Sequence, residues 1–92
     1  MKAVIINKFG DLDGSIIKTD LDIPKPGIRE VLIKVKAAGV NRPDILQRRG
    51  LYKVPNGASP IMGLEVAGQI VEIGEGVPEK KLGESVCALV PG

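Results

Sequence analysis

At 92 residues and 9.7 kDa, with 13 Lys and Arg against 11 Asp and Glu for a net charge of +2, the chain has room for one small domain. A composition 43% hydrophobic and 26% charged excludes disorder, while interspersed charges and only 2% aromatics offer no surface for binding nucleic acid. The absence of histidine and a cysteine count of one exclude an ordinary zinc site, an internal disulfide and any nucleophile activated by histidine. A domain of this size is expected to bury about two-thirds of its unfolded surface.

Taken in chain order, Ala3 to Ile6 is a short β-branched run. Polar Asn7 and Lys8 follow it too soon for a signal peptide. Phe9-Gly10 and Asp11-Leu12-Asp13-Gly14 then read as turns. A second strand is expected where Ile17, Thr19, Leu21 and Ile23 alternate with Lys18, Asp20 and Asp22. Pro24-Lys25-Pro26-Gly27 breaks the chain, and Val31 to Ala38 forms the clearest strand. These three segments are expected to share one antiparallel sheet. In Gly39 to Gly50, Asn41 suits an N-cap, Pro43 and Asp44 the first turn, Arg48 and Arg49 the last, and Gly50 the C′ position. Ile45 and Leu46 can face inward on this short helix. Leu51 to Pro60 reads as a loop, Leu64 to Ile73 as a strand with a bulge or bend at Gly68, and Ser85 to Val90 as the last strand. The sum is a mainly-β fold of about six short strands, curled into a partly open barrel with one short helix. No apolar run approaches a membrane span, so a soluble, cytoplasmic domain is expected.

Two motifs invite a chemical reading. Gly74-Glu75-Gly76 begins like a dinucleotide-binding loop, but the third glycine is replaced by Glu79 behind Pro78, so a turn between strands is the better reading. In the Asn41 to Tyr52 segment, Asn41 and Asp44 read equally well as a helix cap with its acid and as polar groups set beside a cleft. Tyr52 would add a hydroxyl to such a cleft. Glu65, an acid in an apolar strand, either pairs with an arginine or sits near the cleft. Cys87, within an apolar strand, reads as a small buried hydrophobe.

The pattern Asn41-Arg42-x-Asp44-x-x-Gln47-Arg48-x-Gly50-x-Tyr52 resembles that of the zinc-independent quinone oxidoreductases of the medium-chain dehydrogenase/reductase superfamily, nearest to their p53-inducible type. The likeness extends through Pro24-x-Pro26-Gly27, Glu30 to Val35, Gly63-Leu64-Glu65-x-Ala67-Gly68 and Gly83 to Leu89. The zinc-binding branch carries a cysteine ligand in place of Asn41, a histidine ligand in place of Leu64 and a hydroxyl relay residue in place of Pro43.

This resemblance implies a GroES-like, partly open β-barrel forming the substrate side of an NADPH-dependent quinone oxidoreductase. Residues 1–92 would be an incomplete catalytic domain, inactive alone, with the NADPH-binding Rossmann domain outside it. It further implies that Asn41, Asp44 and Tyr52 line the cleft. Tyr52 would bond the quinone oxygen, Asn41 would orient the nicotinamide or Tyr52, and no zinc would take part. The implied partners are a small quinone or enone, the Rossmann domain of the same chain and a second copy of the full-length protein. The alternative is a stand-alone binding or assembly module of the co-chaperonin type, which has about this size and a similar barrel.

Overall fold

The computed structural model describes residues 1–91. Five strands and one α-helix follow in order: β1 (Ala3–Ile6), β2 (Ser15–Lys18), β3 (Val31–Ala38), α1 (Arg42–Arg48), β4 (Glu65–Ile73) and β5 (Ser85–Leu89), with single 3-10 turns at Leu12–Gly14 and Glu79–Lys81. The mainly-β reading with one short helix is borne out. Among the described residues the strands number five rather than about six and divide into two sheets, with no closed barrel.

The first sheet is the β1–β2 hairpin, paired from Ala3 opposite Lys18 to Ile6 opposite Ser15. The expected second strand stops at Lys18 because β1 offers nothing to pair with beyond Ala3. Past that point only Leu21 returns, exchanging backbone hydrogen bonds with Met1. Ile17 and Ile23, on the face expected to be covered, are therefore exposed.

The second sheet has the order β3-β4-β5, antiparallel throughout. This corrects the expectation that β3 would join the two N-terminal strands. β4, nine residues long, is the centre strand and matches the eight of β3, whereas β1 and β2 are four residues each. The pairing even continues past the strand end, where Gly74 N–H donates to the Glu30 carbonyl at 2.8 Å and Arg29 N–H to Glu75 at 2.7 Å. Two register shifts interrupt β3 and β4, leaving Val71 and then Lys36 as extra residues. The second lies beside Gly68, where a Cβ would overlap the Lys34 carbonyl oxygen. The irregularity expected at Gly68, a bulge or a bend, is a bulge whose extra residue lies on the facing strand.

Helix α1 has both ends closed. Asn41 is its N-cap, Pro43 sits in the first turn and Arg49 is the C-cap. Gly50, at φ +78°, donates its N–H to the Gln47 carbonyl at 3.0 Å, and Leu51 N–H reaches the Leu46 carbonyl at 2.8 Å. Those two bonds constitute a Schellman motif. A Gly50→Ala chain is expected to lose about 1 kcal/mol, the cost of a Cβ in the left-handed region, with further crowding against the Phe9 ring. A urea melt with an unchanged midpoint would contradict this ending.

Burial is thin. Ile70 is the buried hydrophobic residue of the described chain, and β5 covers Val86 and Ala88 only in part. The accessible surface is 6778 Å², against about 5,100 Å² for a folded monomer of this mass and about 14,000 Å² for the unfolded chain. About half of the surface is buried, short of the expected two-thirds. The shape agrees, with extents of 43 × 25 × 21 Å.

Candidate functional site

Two concavities stand out among the described residues. The larger, about 470 Å³, lies at the end of the second sheet, walled by residues 37–39, 65–67 and 87–89. The smaller, about 230 Å³, is formed where the first sheet, the helix and the following loop meet, and its polar members are Gln47 and Tyr52. Ile5, Ile6, Phe9, Val54, Pro60 and Ile61 complete its otherwise apolar lining. The Gly39 to Gln47 segment thus runs from one cavity to the other, with Asn41 and Asp44 along it.

Asn41 and Asp44 line neither cavity. They form a capping box, one arm of which is Asn41 N–H donating to Asp44 Oδ2 at 2.8 Å, and Asp44 N–H also donates to the Asn41 main-chain carbonyl at 3.0 Å. Asp44 is buried, and its Oδ1 has no hydrogen-bond partner among the described residues. An Asp44→Ala change is expected to cost about 1 kcal/mol through the lost cap. Asp44→Asn is expected to hold the urea midpoint closer to the parent than Asp44→Ala does, since its amide oxygen still accepts from Asn41 N–H.

Tyr52 stands apart from that pair, half-buried at the smaller cavity, and its hydroxyl has no hydrogen-bond partner among the described residues. Gln47, which the sequence reading gave no role, is 4% exposed and donates from Nε2 to the Pro60 carbonyl at 2.9 Å. The buried face of α1 carries Asp44 and Gln47, whereas Ile45 and Leu46, expected to face inward, are half-buried. The signal was the i, i+3 spacing of those two polar residues, which puts them on one helix face.

Glu65 is exposed at the end of the second sheet, away from the Tyr52 cavity. It makes no ion pair with an arginine among the described residues, lines the larger cavity and lies against Gly39, where a Cβ would meet its carboxylate. Cys87 is exposed, which corrects the expectation of a buried side chain. The alternation of β5 puts Val86 and Ala88 on the covered face and Cys87 on the open one.

The Gly74–Gly76 segment is a turn, as expected. The Gly27 carbonyl occupies the place of a Gly74 Cβ, and the Gly74 amide is already committed to Glu30. Such a turn does not fit a dinucleotide's pyrophosphate, which needs free amides aimed outward. Among the described residues, no group of three or more His, Cys, Asp or Glu is placed to hold a metal ion. None of the helices described is long and apolar enough to cross a membrane.

Residues 27–91 match the model of the alcohol dehydrogenase GroES-like domain. The chain belongs to that family. Its relatives are quinone and NAD(P)H oxidoreductases of the medium-chain dehydrogenase/reductase superfamily. The mitochondrial NAD(P)H oxidoreductase RTN4IP1 of Dictyostelium discoideum is 36% identical over 100 residues, covering 99% of this chain and 27% of that protein. The quinone oxidoreductase of Lama guanicoe is 37% identical over 86 residues, covering 94% of this chain and 26% of the relative. The crystal structure of the human synaptic vesicle membrane protein VAT-1 homolog-like protein superposes with a TM-score of 0.85 at 31% identity, over 98% of this chain and 29% of that one. This GroES-like chain therefore spans about a quarter of the length of the curated relatives it matches.

Proposed function

We propose that this GroES-like domain supplies the substrate side of an NADPH-dependent oxidoreductase that reduces a quinone or a related enone. The observation that carries this reading is the Tyr52 cavity, an apolar recess lined by a tyrosine whose hydroxyl has no hydrogen-bond partner among the described residues. At about 230 Å³ it is smaller than the ~300–1,000 Å³ of sites for drug-sized ligands, so it suits one ring with the rest of the substrate outside. Names among the relatives that mention quinones and NAD(P)H support the same chemistry.

In this reading Tyr52 donates a hydrogen bond to the quinone oxygen, where negative charge grows during reduction. Asn41, set apart from Tyr52, orients the nicotinamide from the helix N-terminus. Asp44 acts through Asn41, whose backbone it holds by the 2.8 Å bond. A quinone is electrophilic without a Lewis acid, so orientation of the two rings supplies most of the help. The nicotinamide supplies the hydride, and its phosphates are held by a part of the protein outside these residues, in keeping with the misfit at Gly74–Gly76. Two copies of the complete protein, in the cytoplasm, complete the proposal.

The test joins this chain to the remainder of the Lama guanicoe quinone oxidoreductase in place of the matching segment. NADPH oxidation is then followed with a quinone, with a simple alcohol and NADP as the contrast. Quinone-dependent turnover by the chimera, and none by the 92-residue chain, is the expected result. Turnover by the chain alone would refute the division of labour, and a folded chimera active only on the alcohol would refute the substrate class.

A further inference from the structure

Tyr52 sits on a long connection with little to hold it. Between α1 and β4, residues 52–63 form no strand or helix, and the backbone bonds within them reduce to Ala58 N–H to the Pro55 carbonyl at 3.1 Å and Ile61 N–H to Ser59 Oγ at 3.1 Å. Pro55 and Pro60 remove two further donors. Among the described residues, a single hydrogen bond ties 52–63 to the rest of the chain. It is the Gln47 Nε2 bond to the Pro60 carbonyl, at 2.9 Å across 13 residues of sequence.

The donor is well placed for that work. Gln47 is 4% exposed, so water competes poorly for its amide, and losing the bond would strand a buried donor. Gln47, Tyr52 and Pro60 all line the smaller cavity. The next residue of the helix, Arg48, is fixed separately to the N-terminal turn. Its Nε donates to the Gly10 carbonyl at 3.0 Å, and Gly10 N–H donates back to the Arg48 carbonyl at 2.8 Å. The last turn of α1 is thus tied on one side to Gly10 and on the other to the Tyr52 loop.

We infer that Gln47 is a positioning residue: its side-chain amide latches the 52–63 loop to α1 and thereby sets where the Tyr52 hydroxyl stands over the cavity. The functional weight of the latch rests on the reading of Tyr52 given above, but the latch itself can be tested with no substrate present.

The sequence provides the probe, since Tyr52 is the one tyrosine and there is no tryptophan. Tyrosine emission from the 92-residue chain therefore reports on that loop alone. In Gln47→Met, which keeps the length of the side chain and removes the donor, the acrylamide quenching constant is expected to rise about twofold as the loop opens. Arg48→Met, which cuts the other tie of the same turn, is expected to leave quenching at the parent value. Far-UV circular dichroism establishes that each variant is folded. A folded Gln47→Met with parental quenching, or an equal rise in both variants, would overturn the latch. Should Gln47→Met fail to fold, the parent chain decides by NMR. Slow exchange of the Gln47 side-chain amide protons, with contacts to Pro60 protons, supports the latch, and exchange at the rate of an exposed glutamine overturns it. None of these readouts involves turnover, so failure of Tyr52 as the substrate's donor would show only in the chimera.

Discussion

Replacing Gly68 by alanine is expected to lower the stability of the chain by about 3 kcal/mol, the upper end of the range for overpacking. Gly68 lies in the middle of β4, paired with Val35 on one side and Val86 on the other. An added Cβ would overlap the Lys34 carbonyl oxygen and come within 3.0 Å of Ile33 Cγ2. The obstacle is backbone in the neighbouring strand, which cannot rotate away as a side-chain tip would. Relief requires β3 and β4 to part at the Lys36 bulge, next to the register that the rest of the sheet depends on. For a domain of this size the melting temperature should fall by roughly 12–24 °C. Gly39→Ala is the matched control. Its Cβ would also meet an obstacle, but the obstacle is the carboxylate of exposed Glu65, which can swing into solvent. Its melting temperature should stay near that of the parent. Equal melting temperatures for the two variants would mean that β3 and β4 do not approach as described.

Tyr52→Phe, in the chimera with the quinone oxidoreductase remainder, is expected to lower kcat for quinone reduction about 100-fold. That is the order of loss when one donor to a developing oxyanion is removed. The phenyl ring keeps the apolar wall of the cavity beside Val54 and Ile61, so KM should change little. The hydroxyl has no partner among the described residues, so its removal should not unfold the loop. The measurement is steady-state NADPH oxidation at varied quinone concentration. A Tyr52→Phe enzyme with parental kcat would remove Tyr52 from the reaction.

The strands that were legible from sequence were those whose pattern stands by itself. Val31 to Ala38 was read with its observed bounds, and β1, β4 and β5 lie within a residue of expectation. The helix was legible because its end signals are chemical: an asparagine, a proline, an aspartate and a closing glycine. Pairing was not legible, because alternation says which residues share a face and nothing about which strand lies alongside. β3 was assigned to the N-terminal strands for that reason, and only the length match with β4 explains its true neighbour. The exposure of Cys87 was not legible either, because an apolar run does not show that β5 is half-covered on one face and open on the other. At the site, Asn41, Asp44 and Tyr52 could be picked out, but not that two of them cap a helix while the third lines a cavity. Gln47 was missed because a glutamine shows nothing of its burial until the loop that covers it is in place.

The seven residues of α1 are too few for a helix to persist by itself, since isolated helices below about 12–15 residues are marginal in water. What keeps this one is borrowed: a capping box at the front, a Schellman ending behind, and single side-chain ties to Gly10 and Pro60. The ladder between β3 and β4 relies on none of these. The segment bearing the candidate site is therefore expected to open at a lower free energy than the three-stranded sheet. A molecule that bridges Asn41 and Tyr52 would spend part of its binding energy holding that segment shut, so occupancy of the site and order in the helix become one linked equilibrium.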